Sequence, residues 1–218
     1  MDILKYFDKV YCINMDKRPD RWVQAQKEFD KIGITKQVER WSGIENVDGN
    51  LGCTLSHLSI IKHCKEHGFK NVLIFEDDVL FVEHDTTKLE KAFNELFELG
   101  NWDLFYIGAT IDPNVSFFNR VTKNILRTNF AYTTHAYAVN SQVFDVMINS
   151  WETAIKKGHT IVDTTLCNSV VRGRKKSFII DPIYAIQQPG FSNIGNNQVD
   201  SYEWMVDFFN KIKQKSNV

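Results

Sequence analysis

Residues 72–81 read VLIFEDDVLF, so three consecutive carboxylates, Glu76, Asp77 and Asp78, directly follow a short apolar run. An apolar run of this length is typical of a strand that is covered on both faces. Adjacent carboxylates repel one another and raise one another's pKa, so the fold must compensate these charges or keep them in contact with water. The end of this strand is therefore a candidate functional site.

The rest of the chain has the composition of a globular protein. Its 218 residues are 43% hydrophobic and 24% charged, with four prolines. A chain of this size can bury roughly 70% of its unfolded surface, so it needs no disulfide or structural metal to fold. The net charge of −1 gives no extended field for nucleic acid or an anionic membrane. No linker or repeat divides the sequence, so we expect residues 1–218 to form a single domain.

The cysteines and the N-terminus point to a reducing compartment. The cysteines form no C-x-x-C pair, which predicts buried free thiols. The N-terminus lacks the basic and apolar regions of a secretory signal, and no apolar run is long enough to span a bilayer. These features predict a soluble cytoplasmic protein, at most peripheral at a membrane. The cysteines are Cys12, Cys53, Cys64 and Cys167.

Strand patterns alternate with helix patterns along the chain. This alternation predicts an α/β fold with a central mixed, mostly parallel sheet flanked by helices. Ligands of such sheets bind outside the carboxyl ends of the strands, where the acidic triplet lies. The predicted strands are 9–14, 37–41, 70–75, 103–109, 130–140 and 176–186. The predicted helices start at Pro19, at Thr54 or Ser56 as the cap, near 87 and at Ser141, and the last covers 198–215.

Three interpretations account for carboxylates that directly follow an apolar strand. In the first, Mg²⁺ or Mn²⁺ takes one or two carboxylates together with the oxygens of a diphosphate. In the second, an aspartate accepts a phosphoryl group, as in response regulators. In those proteins the acidic strand lies near the N-terminus, whereas about seventy residues precede it here. A nucleophile of the haloacid dehalogenase type needs aspartates two residues apart, and Glu76 breaks that pattern. In the third, the carboxylates only cap the following turn in solvent.

Six motifs in order narrow this choice. They are YCINMDKRPDRW (11–22), GCTLSHLSIIKHC (52–64), NVLIFEDDVLF (71–81), TTHAYAVN (133–140), VDTTL (162–166) and PIYAIQQPGFSNI (182–194). Together they resemble glycosyltransferase family 25, the GT-A-type enzymes of lipopolysaccharide and lipooligosaccharide synthesis that are related to the collagen β-galactosyltransferases. The resemblance extends from about residue 9 to about residue 194.

The resemblance implies a GT-A-like, Rossmann-type domain that transfers a hexose, with galactose favoured, from a UDP-sugar to an acceptor hydroxyl. It further implies Mn²⁺ or Mg²⁺, inversion of configuration, and a glycan, glycolipid or glycoprotein acceptor.

Within the acidic triplet, the resemblance implies that Asp78 is the direct metal ligand. Alternate residues of an extended segment share a side, so Glu76 joins Asp78 at the metal, whereas Asp77 points elsewhere. Glu76 and Asp77 would contact the ribose or donor sugar. The alternative is an inactive nucleotide-sugar-binding or interaction domain of the same fold.

Further candidates for binding the donor nucleotide follow the first strand and open the second helix. Asn14, Arg18 and Arg21 match the family's first motif, and Arg suits bidentate contacts with phosphate. The competing interpretation is that both arginines are solvated surface charges. Ser56 and His57 match the family's Ser-His step. A histidine there would donate to a phosphate, or it would only cap and pack the helix.

An inverting transfer also needs a carboxylate that takes the proton from the acceptor hydroxyl. Asp163 in VDTTL is the candidate base or an acceptor-binding residue, although an aspartate here also suits a helix N-cap. His135 in TTHAYAVN is a further candidate site residue, with no role assigned, and Tyr137 is predicted to lie in the core. The family usually has Ser-Asp-Ile where this chain has Asn193 after Ser192. Asparagine cannot act as a base, so this departure weakens the case for activity.

Overall fold

The computed structural model of the protein describes residues 1–112, 114–174, 176–192, 197–199 and 204–216. The strands are, in chain order, Lys9–Asn14 (β1), Glu39–Ser42 (β2), Asn71–Glu76 (β3), Val79–Phe81 (β4), Leu104–Thr110 (β5), Phe118–Arg120 (β6), Ile125–Thr128 (β7), Tyr132–Asn140 (β8), Ser177–Ile180 (β9), Ala185–Gln187 (β10), Gly190–Ser192 (β11) and Asn197–Val199 (β12).

The α-helices are Pro19–Lys31 (α1), Gly49–Glu66 (α2), Thr86–Leu99 (α3), Phe144–Lys156 (α4), Val162–Leu166 (α5), Arg172–Arg174 (α6) and Trp204–Ser216 (α7). A π-helical segment, Cys167–Val171, joins α5 to α6. Short 3-10 helices cover Ile3–Lys5, Thr35–Gln37 and Ser141–Val143. Within the described ranges, no helix has the length and apolar character needed to cross a bilayer.

One sheet organises the fold. Among the described residues it has eight strands in the order β2-β1-β3-β8-β5-β9-β7-β6, with β10-β4 and β11-β12 as small two-stranded sheets. Strands β8 and β7 run against the other six, because β8 pairs antiparallel with β3 and β5 and β7 pairs antiparallel with β9 and β6. The prediction of a mixed, mostly parallel sheet flanked by helices is confirmed.

Helices cover both faces of this sheet, as the continuous apolar strands require. Side chains of β3 alternate between two buried clusters, with Ile74 on one face and Phe75 on the other. The Ile74 cluster includes Leu58 of α2 and Trp151 of α4. The Phe75 cluster includes Phe29 of α1 and other aromatic side chains around α3. The sheet is therefore the middle of three layers, and its strand ends carry the polar residues.

Several predicted boundaries are corrected by the structure. Helix α2 begins at Gly49, before Thr54 and Ser56, because the side chain of Asp48 accepts hydrogen bonds from the backbone N–H groups of Asn50 and Leu51. The second strand is Glu39–Ser42 rather than 37–41. The predicted strand 176–186 is divided into β9 and β10, with a cis peptide bond between Asp181 and Pro182. The prediction of a last helix over 198–215 is wrong at its start, because residues 198 and 199 belong to β12, and the helix covers Trp204–Ser216 in the described part of the chain.

The topology brings the N-terminal motif next to the acidic triplet. Strands β1 and β3 are parallel neighbours, with Ile13 opposite Glu76. Both strands therefore leave the sheet at the same edge, Asn14 from β1 and the carboxylates from β3. Helix α1 follows directly, with Pro19 at its first turn and Gly33, at φ +69°, just after its end.

Candidate active site

The three carboxylates occupy a strand end and a tight turn. Glu76 is the last residue of β3, Asp77 and Asp78 form the turn, and Val79 begins β4. The strand alternation expected for Glu76 and Asp78 therefore does not continue beyond Glu76. In the structure Asp77 shares a cationic partner with Asp78 instead of pointing away from it. The turn directs each carboxylate to a different set of neighbours.

Asp77 is held by the end of β1 and by α1. The Asn14 side-chain amide donates a hydrogen bond to Asp77 Oδ2 at 2.7 Å. Arg21 Nη2 lies 2.7 Å from Asp77 Oδ1 and 3.3 Å from Asp78 Oδ2. Burial raises the pKa of Asp77, and the positive charge of Arg21 opposes that rise. Part of the repulsion within the triplet is thus compensated by the protein itself.

Glu76 faces the opposite side, toward α2 and β8. Thr134 Oγ1 donates a hydrogen bond to Glu76 Oε1 at 2.6 Å, and His57 Nε2 lies 3.4 Å from the same oxygen. Burial alone would raise the pKa of Glu76, but His57 and Thr134 outweigh it and hold the pKa below its ordinary value. Glu76 is therefore the carboxylate of the triplet that most favours its charged form.

Asp78 is the least compensated member of the triplet. Gln187 Nε2 donates to Asp78 Oδ2 at 3.3 Å, but the buried Oδ1 atom has no hydrogen-bond partner in the described part of the chain. Burial and then the negative charge of Glu76 raise the pKa of Asp78. A buried carboxylate oxygen without a partner is costly, and a bound cation would satisfy it. Carboxylate oxygens are the ligands that Mg²⁺ and Mn²⁺ take in proteins.

The Ser-His step lies inside α2 rather than at its start. Ser56 Oγ accepts a hydrogen bond from the Ile44 N–H at 2.8 Å and donates to the Gly52 carbonyl at 2.7 Å. A Cβ atom on Gly52 would lie 2.6 Å from the Ile44 carbonyl oxygen, so this glycine permits close backbone packing. His57 is fully buried and its Nδ1 lies 2.9 Å from the Tyr137 hydroxyl. Ser56 stabilises the loop before α2 through its hydrogen bond with Ile44, whereas His57 faces Glu76.

Asp163 lies in the first turn of α5 and is not its N-cap, which is Ile161. Its Oδ2 accepts a hydrogen bond from the Thr133 N–H at 3.1 Å, and its Oδ1 accepts one from the Thr164 N–H at 2.6 Å. Thr133 has a left-handed φ of 65°, which is unfavourable for a β-branched residue. The carboxylate of Asp163 thus holds the start of β8 in an unusual conformation.

The remaining predicted residues divide between the site and its rim. Arg18 forms an ion pair with Asp20 at 2.8 Å, and its backbone carbonyl accepts from Asn14. His135 is buried, with Nδ1 2.9 Å from Thr133 Oγ1. Tyr137 belongs to the buried core, as expected, and also contacts His57. Asn193 lies outside the described residues.

Four site residues escaped the sequence analysis. Thr134 and Gln187 are the hydrogen-bond donors to Glu76 and Asp78. Arg40 donates to the Asn14 side-chain oxygen at 2.7 Å. Cys53 lies close to both His57 and Glu76. Thr134, Gln187 and Cys53 lie within the quoted motifs, and Cys53 also precedes His57 by four residues, so the two share a helix face. Arg40 lies outside those motifs.

Comparison with solved structures defines the class. A glycosyltransferase involved in glycosylation of the major capsid of PBCV-1 superposes with a TM-score of 0.51 at 10% identity over 80% of this chain and 81% of that one. A mannose-1-phosphate geranyltransferase from Thermus thermophilus gives 0.50 at 7% identity over 81% and 74%. At these identities the similarities show the fold alone, which is GT-A-like α/β.

The particular family follows from the sequence. The family model described as glycosyltransferase family 25 (LPS biosynthesis protein) matches residues 39–164, and the chain belongs to this family. This membership favours the glycosyltransferase interpretation of the triplet over a phosphoryl-accepting receiver domain.

Two relatives have names that describe the activity of those proteins. Human inactive glycosyltransferase 25 family member 3 is 27% identical over 161 residues, which cover 61% of this chain and 27% of that protein. Mouse procollagen galactosyltransferase 2 is 26% identical over 166 residues, covering 62% and 26%. The chain therefore matches about a quarter of the length of these relatives.

Proposed function

We propose that the protein transfers a hexose from a UDP-sugar to an acceptor hydroxyl on a glycan or glycoconjugate, with galactose as the favoured sugar. Membership of glycosyltransferase family 25 supports the reaction class, and a relative named as a procollagen galactosyltransferase supports the choice of sugar. The observation that carries the proposal is the acidic strand end, where Asp78 Oδ1 is buried without a hydrogen-bond partner among the described residues.

The donor would bind at the carboxyl edge of β1 and β3. Asp78 would hold Mn²⁺ or Mg²⁺ through Oδ1, because a buried carboxylate oxygen without a partner among the described residues fits a hard divalent cation. Glu76 contacts Thr134 and His57, so it would have to leave those contacts to act as a second ligand. The metal, when bound, supplies positive charge against the leaving diphosphate. Asn14 and Arg21 already orient Asp77 and would present it to the ribose or the donor sugar. Arg18 at the rim pairs with Asp20 in the structure and would exchange that carboxylate for a donor phosphate.

The acceptor side of the reaction needs a base. We assign this role to Asp163, whose carboxylate is oriented by the N–H groups of Thr133 and Thr164. The acceptor oxygen would attack the anomeric carbon, the bond from that carbon to the diphosphate oxygen would break with its electron pair leaving on UDP, and the hydroxyl proton would pass to Asp163.

A groove beside Asp163 suits the acceptor. It has a volume of about 810 Å³, and the described residues that line it include no Asp or Glu. Nine of its fourteen described lining residues carry a hydroxyl or amide side chain, beside Lys157 and His159, and such groups match the hydroxyls of a neutral sugar. Thr164 lines the groove and also donates to Asp163, which connects the groove to the proposed base. The amide and hydroxyl residues include Asn50, Asn149, Thr153, Thr160, Thr164 and Asn168.

The test is hydrolysis of UDP-galactose, measured as UDP release, with and without Mn²⁺. Wild-type protein is expected to release UDP only with the metal. Asp78→Asn keeps the size of the side chain but removes its charge, and we expect a loss of at least about 100-fold in rate. Asp145→Asn is the matched control, since Asp145 is an exposed carboxylate on α4 that pairs with Lys65. Unchanged turnover in Asp78→Asn would contradict the metal assignment.

The second candidate is an inactive binding domain of the same fold. It is favoured by the human relative, whose name describes that protein as inactive. Calorimetric titration with UDP, Mn²⁺ and both together separates the candidates. Binding without UDP release across common UDP-sugars would support the binding domain, and no binding of either ligand would support a scaffold.

A further inference from the structure

Cys53, His57 and Glu76 form a compact cluster of unlike metal ligands. Cys53 and His57 lie one helical turn apart on α2, and both face the end of β3. One ligand atom from each residue lies within 4.8 Å of the other two. A thiol, an imidazole and a carboxylate are the ligand types from which three-residue zinc sites are built.

The central member of this cluster is oriented for a ligand. His57 is fully buried, and its Nε2 makes no hydrogen bond within the part of the chain that the structure describes. Its other ring nitrogen lies 2.9 Å from the Tyr137 hydroxyl. Metal binding requires Nε2 without a proton, and a hydrogen bond from Nδ1–H to that hydroxyl would then hold the ring with the Nε2 lone pair on an ion between His57 and Glu76. Metal-bound histidines are typically held in this way through the second nitrogen.

The spacing also agrees with a tetrahedral ion. Two nitrogen or oxygen ligands about 2.0–2.1 Å from zinc, at the tetrahedral angle, lie about 3.3–3.4 Å from each other. His57 Nε2 and Glu76 Oε1 are 3.4 Å apart. A hydrogen bond from Thr134 further fixes the Glu76 carboxylate.

We propose that Cys53, His57 and Glu76 bind a thiophilic divalent cation of the Zn²⁺ type, separate from the Mn²⁺ or Mg²⁺ held by Asp78. A thiolate and an imidazole select zinc, cobalt or cadmium over the harder Mg²⁺ and Mn²⁺. A thiolate and a carboxylate together neutralise the divalent charge in a site that is partly removed from water. With three protein ligands, a fourth position stays open for water or substrate.

The site has a consequence for transfer, and this part rests on the proposed function. Glu76 cannot serve a zinc ion beside His57 and the donor site at the same time without a change in its contacts. Zinc binding would therefore inhibit a reaction supported by Mn²⁺. Zinc binding itself does not depend on whether the protein turns over a UDP-sugar.

The test uses Co²⁺ as a spectroscopic probe on the full chain, kept reduced and freed of metal by a chelator. Thiolate ligation is expected to give a sulfur-to-cobalt charge-transfer band in the near ultraviolet that saturates at one equivalent. Cys53→Ser should abolish this band and weaken Zn²⁺ binding at least about 10-fold, measured by competition with a chromophoric chelator. Serine keeps the shape of the half-buried side chain, so the variant is expected to fold.

Two controls make the assignment specific. Cys64→Ala removes a buried thiol from the same helix and should keep the band. Asp78→Asn should also keep the band while it loses Mn²⁺ binding. The proposal is overturned by the absence of a charge-transfer band at stoichiometric Co²⁺, or by a band that survives in Cys53→Ser. A band without any UDP-sugar turnover would sustain the metal site and reject the transferase.

Discussion

Arg21 Nη2 lies 2.7 Å from Asp77 Oδ1, which joins the first turn of α1 to the turn after β3. The same guanidinium nitrogen reaches Asp78 Oδ2 at 3.3 Å. One cation therefore offsets two adjacent carboxylates at the edge of the sheet. It leaves Asp78 Oδ1 without a partner among the described residues, so the compensation is incomplete on the side where a metal would bind.

Replacing Arg21 with Gln should destabilise the protein by about 1–3 kcal/mol, because it leaves two carboxylates without their shared cation. The loss is smaller than for a deeply buried pair, since Asp78 keeps some contact with water. Urea unfolding in the absence of metal measures the change. Arg18→Gln is the control, since Arg18 contacts the more exposed Asp20 and should cost less than about 1 kcal/mol. Equal losses in the two variants would argue against this role of Arg21.

Asp78→Asn should raise the stability of the metal-free protein while removing its response to Mn²⁺. The raised pKa of Asp78 means that folding disfavours its charge, and each unit of such a rise corresponds to about 1.4 kcal/mol. A ligand that binds only the native state raises the melting temperature, and this variant should lose that shift. Thermal unfolding with and without Mn²⁺ measures both effects. If Mn²⁺ raised the melting temperature of Asp78→Asn as much as that of the wild-type protein, the metal would bind elsewhere.

Gly108→Ala should destabilise the protein by at least about 2 kcal/mol. A Cβ atom at this position of β5 would overlap the Ala185 carbonyl oxygen and the His135 ring, and neither can move without disturbing the sheet. Gly173 in α6 is the matched control, since its Cβ would meet nothing nearer than 3.7 Å. Gly173→Ala should be neutral or slightly stabilising, because alanine favours helices. Comparable denaturation midpoints for the two variants would show that β5 is not packed this tightly.

Acid should destabilise the protein in part through His135. Burial lowers the pKa of this histidine from the ordinary 6.5 to about 4. Between these values the unfolded state binds the proton and the folded state does not, so stability is retained above pH 6.5 and lost as the pH falls toward 4. The shift corresponds to about 3 kcal/mol. Urea unfolding from pH 7 to pH 4 should show a shallower decline in His135→Gln, and parallel curves would exclude the histidine as the cause.

Thr153→Arg should block transfer to the acceptor without affecting donor hydrolysis. Thr153 is an exposed residue of α4 that lines the groove beside Asp163, and an arginine there would fill space proposed for the acceptor. Thr153→Ser, which keeps the hydroxyl, should retain transfer. Metal-dependent UDP release with water as acceptor and with a glycan acceptor separates the two activities. Loss of both activities in Thr153→Arg would point to misfolding, and retention of both would place the acceptor elsewhere.

Much of the site could be predicted because it depends on local sequence and on one rule of topology. The run 72–75 predicts a buried strand, and parallel strands end at the same edge, so Asn14 and Arg21, which follow β1, lie beside the triplet that follows β3. The cap of α2 was predicted wrongly, because several residues before the helix have capping side chains and only the tertiary packing of the preceding loop selects Asp48. The prediction that Glu76 and Asp78 share one side and Asp77 points away was wrong, because the strand ends at Glu76 and the chain turns at Asp77.

The sequence by itself determined the alternating α/β elements, the acidic end of β3 and the family to which the chain belongs. These features are encoded by residues close together in the chain, through apolar periodicity and motif order. Only the tertiary structure decided which partner each carboxylate receives: Arg21 for Asp77, Thr134 and His57 for Glu76, and Gln187 for Asp78. Those partners come from distant segments, and a carboxylate's charge state and ligand capacity depend on the atoms within a few ångströms of it.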